Sequence, residues 1–185
     1  MKKLVPVNPE EVANGKKPRY KFEDVLPIAQ EILKEIKPHC YRCQIAGSIR
    51  RGKDTIGDIE IVLIPKPYEI GLIAFGLPTV LYKWKSERGK LFPGECRYNR
   101  RKHPSGISID FFLVKEHNWG YHLAIRTGSS EFSTKKLGWR WSAMGFKGID
   151  GDFTYDGVVI PVREEMDFFR LLDMRWIEPR YREVK

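Results

Sequence analysis

Two carboxylates separated by one residue stand at the start of an apolar run, in the stretch GSIRRGKDTIGDIEIVLIP at residues 47–65. Side chains of an extended strand alternate between its faces, so Asp58 and Glu60 are predicted to project together. Ile59 and Ile61 then face the opposite side. Two carboxylates on one face repel each other unless they are protonated or share a cation. Such oxygen ligands suit Mg²⁺, which takes one or two carboxylates and often substrate phosphates. The pair therefore predicts a magnesium site.

A third acid stands alone in the apolar segment ISIDFFLV at residues 107–114. Asp110 supplies a third carboxylate if its strand lies beside the first. The turn at Gly47 and Ser48 offers backbone amides and a hydroxyl to a phosphate, and Arg51 can hold a phosphate through two hydrogen bonds. Each feature alone is common in surface turns and strand edges. The ordered set, with phosphate and metal ligands close together in the chain, is typical of nucleotidyl transfer by two metal ions.

Helices and strands predicted around these residues place them at the ends of apolar elements. Apolar residues recur at helical spacing from Phe22 to Ile36, and CQIAG reads as a buried strand that stops at Gly47. Further strands are predicted at 58–64 and 107–114, a basic strand at 95–102 and a helix at 70–84. After a seam near residues 117–118 follow a helix, a TGSS turn, a second helix, short strands and a last helix near residue 163. The predicted division is a polar leader at 1–20, a catalytic segment at 21–117 and a C-terminal segment at 118–185.

The composition is that of a globular protein with a basic surface. The chain has 185 residues, 42% of them hydrophobic, and a net charge of +9. This favours one domain, or two small lobes sharing a core, and a polyanionic partner such as nucleic acid, although solubility alone also explains basic charge. The three cysteines, an odd number without a secretory signal, favour reduced thiols, and no apolar run approaches the ~20 residues of a membrane span. We therefore expect a cytoplasmic protein without a membrane segment.

Three stretches resemble one known family. GSIRRG followed by GDIEIVLIP is similar to the nucleotidyltransferase signature in the form carried by the DNA polymerase X, or polymerase beta-like, family. NWGYHLAIRTGSSEF at 118–132 resembles the family's segment ending in TGS-x-x-F, and DFFRLLDMRWIEPRYR at 167–182 resembles its C-terminal end with an EPxxR tail. The resemblance implies an α+β fold: a nucleotidyltransferase palm, with a mixed sheet flanked by helices, and a small α+β C-terminal lobe.

The resemblance also implies roles for individual residues. Asp58, Glu60 and Asp110 take the places of the catalytic and metal-binding carboxylates, with Asp110 nearest the primer 3′-hydroxyl. Two Mg²⁺ ions are the implied cofactors, and Mn²⁺ is an expected substitute. The implied nucleotide-binding residues are Gly47, Ser48, Arg51, Gly57, Thr127, Gly128, Ser129 and Ser133.

The chain departs from the family pattern at several of these places. Glu60 stands where the polymerases usually have Asp, and Ile125-Arg126 stands where they have a Tyr-Phe pair that lies against the sugar. Ser133 replaces an Asn, and Leu137 replaces an Arg on the helix that reads the nascent base pair. These departures bear on the choice between deoxyribo- and ribonucleotides and on template reading.

Basic residues interleaved with aromatic ones give the predicted nucleic-acid contacts. RYNRRKH at 97–103 can follow a nucleic-acid backbone, or it can be a solvated edge strand protected by its charge. Trp139 and Trp141, among lysines and an arginine, can stack on bases or belong to the core. The predicted contacts are Arg97, Arg100, Arg101, Lys102, Lys135, Lys136 and Arg140.

The leading hypothesis from the sequence is a small polymerase X-like nucleotidyltransferase. It would add dNMP to a DNA 3′ end in gap filling or repair-type synthesis and release pyrophosphate. Its expected partners are primer–template or gapped DNA and nucleoside triphosphates, and it would act as a monomer within a cell, or within a host cell if viral. One alternative is a template-independent nucleotidyltransferase acting on RNA, protein or a small molecule. Another is a nucleic-acid-binding module without catalysis.

Overall fold

The computed structural model of the chain describes residues 3–70, 74–88 and 97–184. These residues form a mixed α+β fold, as predicted, and divide into two compact units, Met1–Leu113 and Val114–Lys185. In the first unit a mixed sheet packs against helices, which is the architecture expected of a nucleotidyltransferase palm. Among the described residues, no helix has both the length and the apolar character needed to cross a membrane.

Four helices and nine strands are described in the first unit. The helices are α1 (Pro9–Ala13), α2 (Phe22–Ile36), α3 (Gly47–Arg50) and α4 (Leu77–Leu81). The strands are β1 (Tyr20–Lys21), β2 (Cys40–Ile45), β3 (Thr55–Ile56), β4 (Asp58–Pro65), β5 (Glu69–Ile70), β6 (Ala74–Phe75), β7 (Lys85–Arg88), β8 (Tyr98–Lys102) and β9 (Ser108–Leu113). The helix and strands that the sequence predicts near 22–36, 43–47, 58–64 and 107–114 correspond to α2, β2, β4 and β9.

A five-stranded sheet with the order β2-β4-β9-β8-β7 forms the body of this unit. Strands β4 and β9 run parallel, and the other neighbours run antiparallel. One face of the sheet is apolar, because alternate residues of β4 and β9 such as Ile61 and Phe111 are fully buried. The same core includes Val25, Ala29 and Ile32 of α2, which recur at helical spacing. The opposite face carries the acids.

Two segments of the first unit differ from the sequence prediction. The helix predicted at 70–84 is confined to α4, with β5 and β6 before it, and residues 71–73 lie outside the described residues. Gly76, with φ of 79°, and Pro78 at the helix start explain why a helix begins only there. The polar leader contains α1 and β1, and Leu4 N–H donates to Ser105 O at 2.9 Å, so it is tied to the unit. The basic strand predicted from residue 95 is β8, and its first residues, with Cys96, lie outside the described residues.

The second unit has a helical part and a small sheet. The helical elements are a 3₁₀ turn (Glu116–Asn118), α5 (Trp119–Thr127), a π-helical segment (Phe132–Gly138), α6 (Trp139–Ala143), α7 (Glu165–Leu171) and a 3₁₀ turn (Pro179–Tyr181). The antiparallel sheet consists of β10 (Phe146–Ile149), β11 (Asp152–Tyr155) and β12 (Val158–Val159). Tyr121, Phe153 and Phe168 meet in its aromatic core, and Trp141 packs edge-on against them while Trp139 is 69% exposed.

Candidate active site

The parallel pairing of β4 with β9 brings the predicted acids to one face of the sheet. Asp58 pairs in register with Ser108, and Glu60 pairs with Asp110 on the neighbouring strand. Ile59 lies between the two acids of β4, is fully buried and faces the opposite side, as the strand period requires. The condition under which Asp110 joins the pair, that its strand lies beside the first, is therefore met.

Asp110 is the most buried of these acids and is held by its neighbours. It is 5% exposed, and the hydroxyl of Tyr98 on β8 donates to its Oδ1 at 2.8 Å. Burial raises the pKa of Asp110 above its ordinary value, and the nearby charge of Asp58 adds to the rise, whereas the Tyr98 hydrogen bond opposes it. Asp110 and Asp58 thus form a close carboxylate pair that gains from a cation between them.

Arg100 and Lys17 lie against this carboxylate pair. Arg100 of β8 contacts Asp58 Oδ2 at 3.4 Å through Nη2 and Asp110 Oδ2 at 3.5 Å through Nη1, and its Nε is 3.5 Å from Glu87 Oε2. Lys17 of the N-terminal segment forms a further ion pair with Asp58 Oδ2. These contacts offset the repulsion between two neighbouring carboxylates.

The Glu60 side chain lies against the Gly-Ser turn. A Cβ added at Gly47 would overlap Oε2 of Glu60 and lie 2.7 Å from its Cδ, so this side chain rests directly on the glycine. The backbone N–H of Ala46 also donates to Glu60 O at 2.8 Å. Gly47 has a φ of 60°, a left-handed conformation that favours glycine. The turn and the acid pair that the sequence places 11 residues apart are therefore in contact.

The donor set suits a magnesium ion, although this conformation does not gather three ligands. Within the described residues no three His, Cys, Asp or Glu side chains converge as a metal-ligating group. Because Mg²⁺ needs only one or two protein carboxylates beside substrate phosphates and waters, Asp58 and Asp110 fit it without a third ligand. Glu60 would have to turn away from Gly47 in order to join them.

Two of the predicted phosphate-binding residues, Ser48 and Arg51, belong to the same turn, and Gly57 has a different environment. Ser48 lies in α3 and Arg51 directly follows it, and both are half-buried. The N–H of Arg51 donates to Gly47 O at 3.1 Å, which closes the turn. Gly57 is buried beside two cations of the N-terminal segment: a Cβ there would lie 3.5 Å from both Lys17 Nζ and Arg19 Nη1.

The TGS turn of the second unit is fixed by its own contacts. Thr127 is fully buried, and a Cβ at Gly128 would lie 2.7 Å from both the Phe132 ring and Ser133 Oγ. Ser129 Oγ accepts the Phe132 N–H at 3.1 Å, and the Ser133 hydroxyl donates to Ile125 O at 2.7 Å. These four predicted nucleotide-binding residues thus form one turn with a defined shape.

The end of the chain braces this turn. The N–H of Ser129 donates to Arg182 O at 2.9 Å. Arg182, the Arg of the EPxxR tail, is fully buried, forms an ion pair with Glu165 and lies over the rings of Phe169 and Trp176 at 4.8 and 4.6 Å. In this structure the conspicuous tail motif holds the second unit together.

The basic residues predicted to contact nucleic acid occupy different environments. Arg97, Lys135 and Lys136 are exposed, whereas the Arg140 guanidinium donates to Leu172 O at 2.7 Å and to Asp173 beyond the end of α7. The structure corrects the prediction that Arg101 contacts nucleic acid. Arg101 is 2% exposed, its Nε donates to Asn99 Oδ1 at 2.6 Å, and it lies on the face of β8 opposite Arg100. A phosphate does not reach a guanidinium buried in this way.

Lys102 and Arg100 belong to the acid face rather than to a free basic strip. Lys102 is 3.5 Å from Glu87 Oε1, and the Ser108 hydroxyl donates to Glu87 Oε2 at 2.8 Å. Partial burial alone would raise the pKa of Glu87, but this hydrogen bond and the charge of Lys102 hold it below its ordinary value. Glu87 therefore anchors Arg100 and Lys102 of β8.

Sequence reasoning did not single out Lys17, Arg19, Tyr98 or Glu87. Lys17 lies 41 residues before Asp58, and no local pattern connects them. Tyr98 was recognised as part of a basic stretch, but its place opposite Phe112 and next to Asp110 follows only from the antiparallel register of β8 with β9. Strict alternation of side chains along the strand RYNRRK would have predicted two faces. One face carries Tyr98, Arg100 and Lys102, and the other carries Asn99 and Arg101.

Comparison with known families agrees with this geometry. Residues 16–74 match the family model described as DNA polymerase beta palm. The match spans α2, the Gly-Ser turn and both acids of β4, and covers less than half of the chain. No curated protein was found that matches the chain. The match therefore supports a palm like that of DNA polymerase beta around these residues, and it suggests nucleotidyltransferase-like function at a coarse level.

Proposed function

We propose that the protein adds a deoxynucleotide to the 3′ end of DNA, in gap filling or repair-type synthesis, with release of pyrophosphate. The observation that carries this proposal is the contact between the acid face and the Gly-Ser turn within a polymerase beta-type palm. Metal-binding acids and phosphate-binding amides are both needed where a triphosphate is attacked. Here one short segment and one neighbouring strand supply them.

In the proposed reaction the chain aligns the reactants and neutralises charge. Bound Mg²⁺ ions would be held by Asp58 and Asp110, joined by Glu60 after it turns, and would offset the charge of the triphosphate and of the attacking oxygen. By the resemblance, Asp110 would stand nearest the primer 3′-hydroxyl and help to activate it. The amides of the Gly47–Ser48 turn and the Arg51 guanidinium would hold the β- and γ-phosphates. By the same resemblance, we propose that the turn formed by Thr127, Gly128 and Ser129 contacts the sugar and base of a nucleotide.

The proposed DNA contact rests on charge. The net charge of +9 attracts a polyanion, and Arg97, Lys135 and Lys136 are exposed cations that can pair with phosphates.

Extension of a labelled primer on a one-nucleotide-gapped duplex tests the proposal. Each dNTP is supplied singly with Mg²⁺ or Mn²⁺, beside a single-stranded control. We expect addition of the complementary nucleotide, and a loss of at least about a hundredfold in Asp58→Asn and Asp110→Asn, because each change removes a charge from the metal-binding pair. The matched control is Asp24→Asn, the same change at an exposed acid in the first turn of α2. No incorporation by the wild-type protein, or equal rates in all variants, would overturn the proposal.

A second candidate is a template-independent transferase with another acceptor, such as RNA, a protein or a small molecule. It is favoured by the position of Leu137, which is fully buried in the core of the second unit. In the family that the sequence resembles, an arginine on this helix reads the nascent base pair, and a buried leucine does not take that role. Equal incorporation of all four dNTPs on the gapped duplex, or transfer only to another acceptor, would favour this candidate.

A further inference from the structure

The proposed function leaves open what holds Asp110 in a productive orientation. Strand β8 contributes two side chains to this carboxylate, one to each oxygen. The Tyr98 hydroxyl donates to Oδ1 at 2.8 Å, and Arg100 Nη1 lies 3.5 Å from Oδ2. The two contacts differ in kind: the first is a directed hydrogen bond between groups from adjacent strands, and the second is a looser charge contact that Arg100 divides among three acids.

The direction of the Tyr98 hydroxyl is set by packing and register. Tyr98 stands opposite Phe112 in the antiparallel pairing of β8 with β9, and their ring centroids are 5.3 Å apart. Arg100 stands opposite Asp110 in the same ladder, so Tyr98 reaches the carboxylate diagonally, two residues along the strand. The aromatic contact fixes the ring, and the ring fixes where its hydroxyl can donate.

The two oxygens of Asp110 have different partners, and this difference has a chemical consequence. A carboxylate whose Oδ1 accepts a hydrogen bond cannot turn freely, and its Oδ2 stays on the side of Asp58, whose own Oδ2 contacts the same Arg100 guanidinium. A cation bound between Asp58 and Asp110 would therefore meet an oxygen that is already in place. Hydrogen bonds to ligating carboxylates orient them and influence metal affinity in this way.

We propose that Tyr98 is a positioning residue that orients Asp110 through its hydroxyl, so that Oδ2 of Asp110 is the oxygen offered to the metal and the reacting 3′-hydroxyl. This inference rests on the proposed function but concerns a residue that neither the signature nor the palm match includes. Tyr98 itself does not touch the reactants. Most of its effect should disappear when Asp110 can no longer bind a cation.

Tyr98→Phe tests this role because it removes one hydroxyl and keeps the ring on Phe112. The matched control is Tyr20→Phe, a buried tyrosine whose hydroxyl lies 3.4 Å from a backbone carbonyl, Gly106 O. In primer extension we expect kcat to fall about tenfold in Tyr98→Phe, with KM for the dNTP and the melting temperature unchanged. Tyr20→Phe should keep kcat within about twofold, since the described partner of its hydroxyl is a backbone carbonyl rather than a carboxylate. An unchanged kcat in an active Tyr98→Phe protein would overturn the inference and leave the proposed function standing.

Binding of Mn²⁺ alone, followed by electron paramagnetic resonance, gives a measurement that does not need activity. We expect Tyr98→Phe to weaken Mn²⁺ binding about tenfold and Tyr20→Phe to leave it unchanged. In the Asp110→Asn background Tyr98→Phe should lose most of its effect, because the carboxylate that its hydroxyl orients is then gone and its contact with Arg100 remains. The same loss in both backgrounds, or no loss in either, would contradict a role through Asp110. A protein that extends no primer would fail the proposed function, and the Mn²⁺ comparison would still decide the role of Tyr98.

Discussion

At the scale of single residues, the contact between Gly47 and Glu60 joins the two parts of the candidate site. Glu60 belongs to the acid face, and Gly47 begins the turn that would hold phosphates. Because the carboxylate rests on the glycine, any side chain at this position would push Glu60 away or shift the turn. The contact with Glu60 therefore explains why this position of the GS signature needs a glycine, in addition to the access that a glycine gives to a phosphate.

Gly47→Ala should abolish transferase activity at a modest cost in stability. A left-handed backbone conformation costs an alanine about 1–2 kcal/mol, and here the added Cβ also meets the Glu60 carboxylate. We expect primer extension to fall at least about a hundredfold, because both phosphate and metal ligands move. The measurements are primer extension and thermal unfolding.

Gly52→Ala separates the two causes of the effect at Gly47. Gly52 has a φ of 68°, close to that of Gly47, and no atom lies within 4 Å of its added Cβ. It should lose similar stability and keep its activity. Equal activity in the two variants would mean that the contact with Glu60 has no part in the reaction.

At the scale of elements, the sequence was most informative where one period ran through a whole strand or helix. The acid–apolar alternation of β4 and the helical spacing of α2 predicted both elements and their buried faces. The sequence was least informative where two partners are distant in the chain, as for Lys17 and Asp58. It was also misleading in β8, where the many basic residues suggested a fully exposed strand although its side chains alternate between a buried and an exposed face. Arg101 shows the second case: it is buried because its position in β8 faces the interior, although an arginine is usually exposed.

The C-terminal tail illustrates how a motif can be recognised while its role stays hidden. The stretch EPRYR contains two arginines, Arg180 at a variable position and Arg182 as the last residue of the motif, and the sequence does not show which of them is buried. The structure does: Arg180 pairs with Glu178 at the surface, whereas Arg182 pairs with Glu165 in the interior of the second unit. The physical reason is the fold of the tail: Arg180 lies in an exposed 3₁₀ turn at Pro179–Tyr181, whereas Arg182 directly follows this turn and its side chain is fully buried.

Arg182→Ala should destabilise the second unit strongly. It leaves Glu165 buried without its counterion, a loss that typically costs about 3–5 kcal/mol, and it removes the packing on Phe169 and Trp176. Denaturant unfolding followed by tryptophan fluorescence measures the change. Arg180→Ala removes the same side chain two residues earlier from an exposed pair and should leave the unfolding midpoint unchanged. Similar midpoints for the two variants would show that burial of the pair does not govern stability.

At the scale of the whole molecule, the charge of +9 is the property most directly related to the proposed DNA substrate. Much of the positive charge in the RYNRRK stretch is engaged by acids or buried, so fewer cations face solvent than the sequence suggests. Exposed pairs such as Lys135 and Lys136 then become the stronger candidates for phosphate contacts. Their contribution can be separated from net charge by the salt dependence of binding.

We expect DNA affinity to fall linearly with salt on a double-logarithmic plot, because each protein–phosphate contact releases condensed counterions. Lys135→Gln combined with Lys136→Gln should weaken binding and reduce the slope by about 2, if each lysine meets one phosphate. Lys16→Gln combined with Lys83→Gln lowers the net charge equally at two other exposed lysines, which are paired with Glu11 and Glu35 as Lys135 is with Glu131. This control should leave the slope close to that of the wild-type protein. Equal slopes for the two double variants, measured by fluorescence anisotropy on a gapped duplex, would mean that net charge rather than the position of Lys135 and Lys136 governs binding.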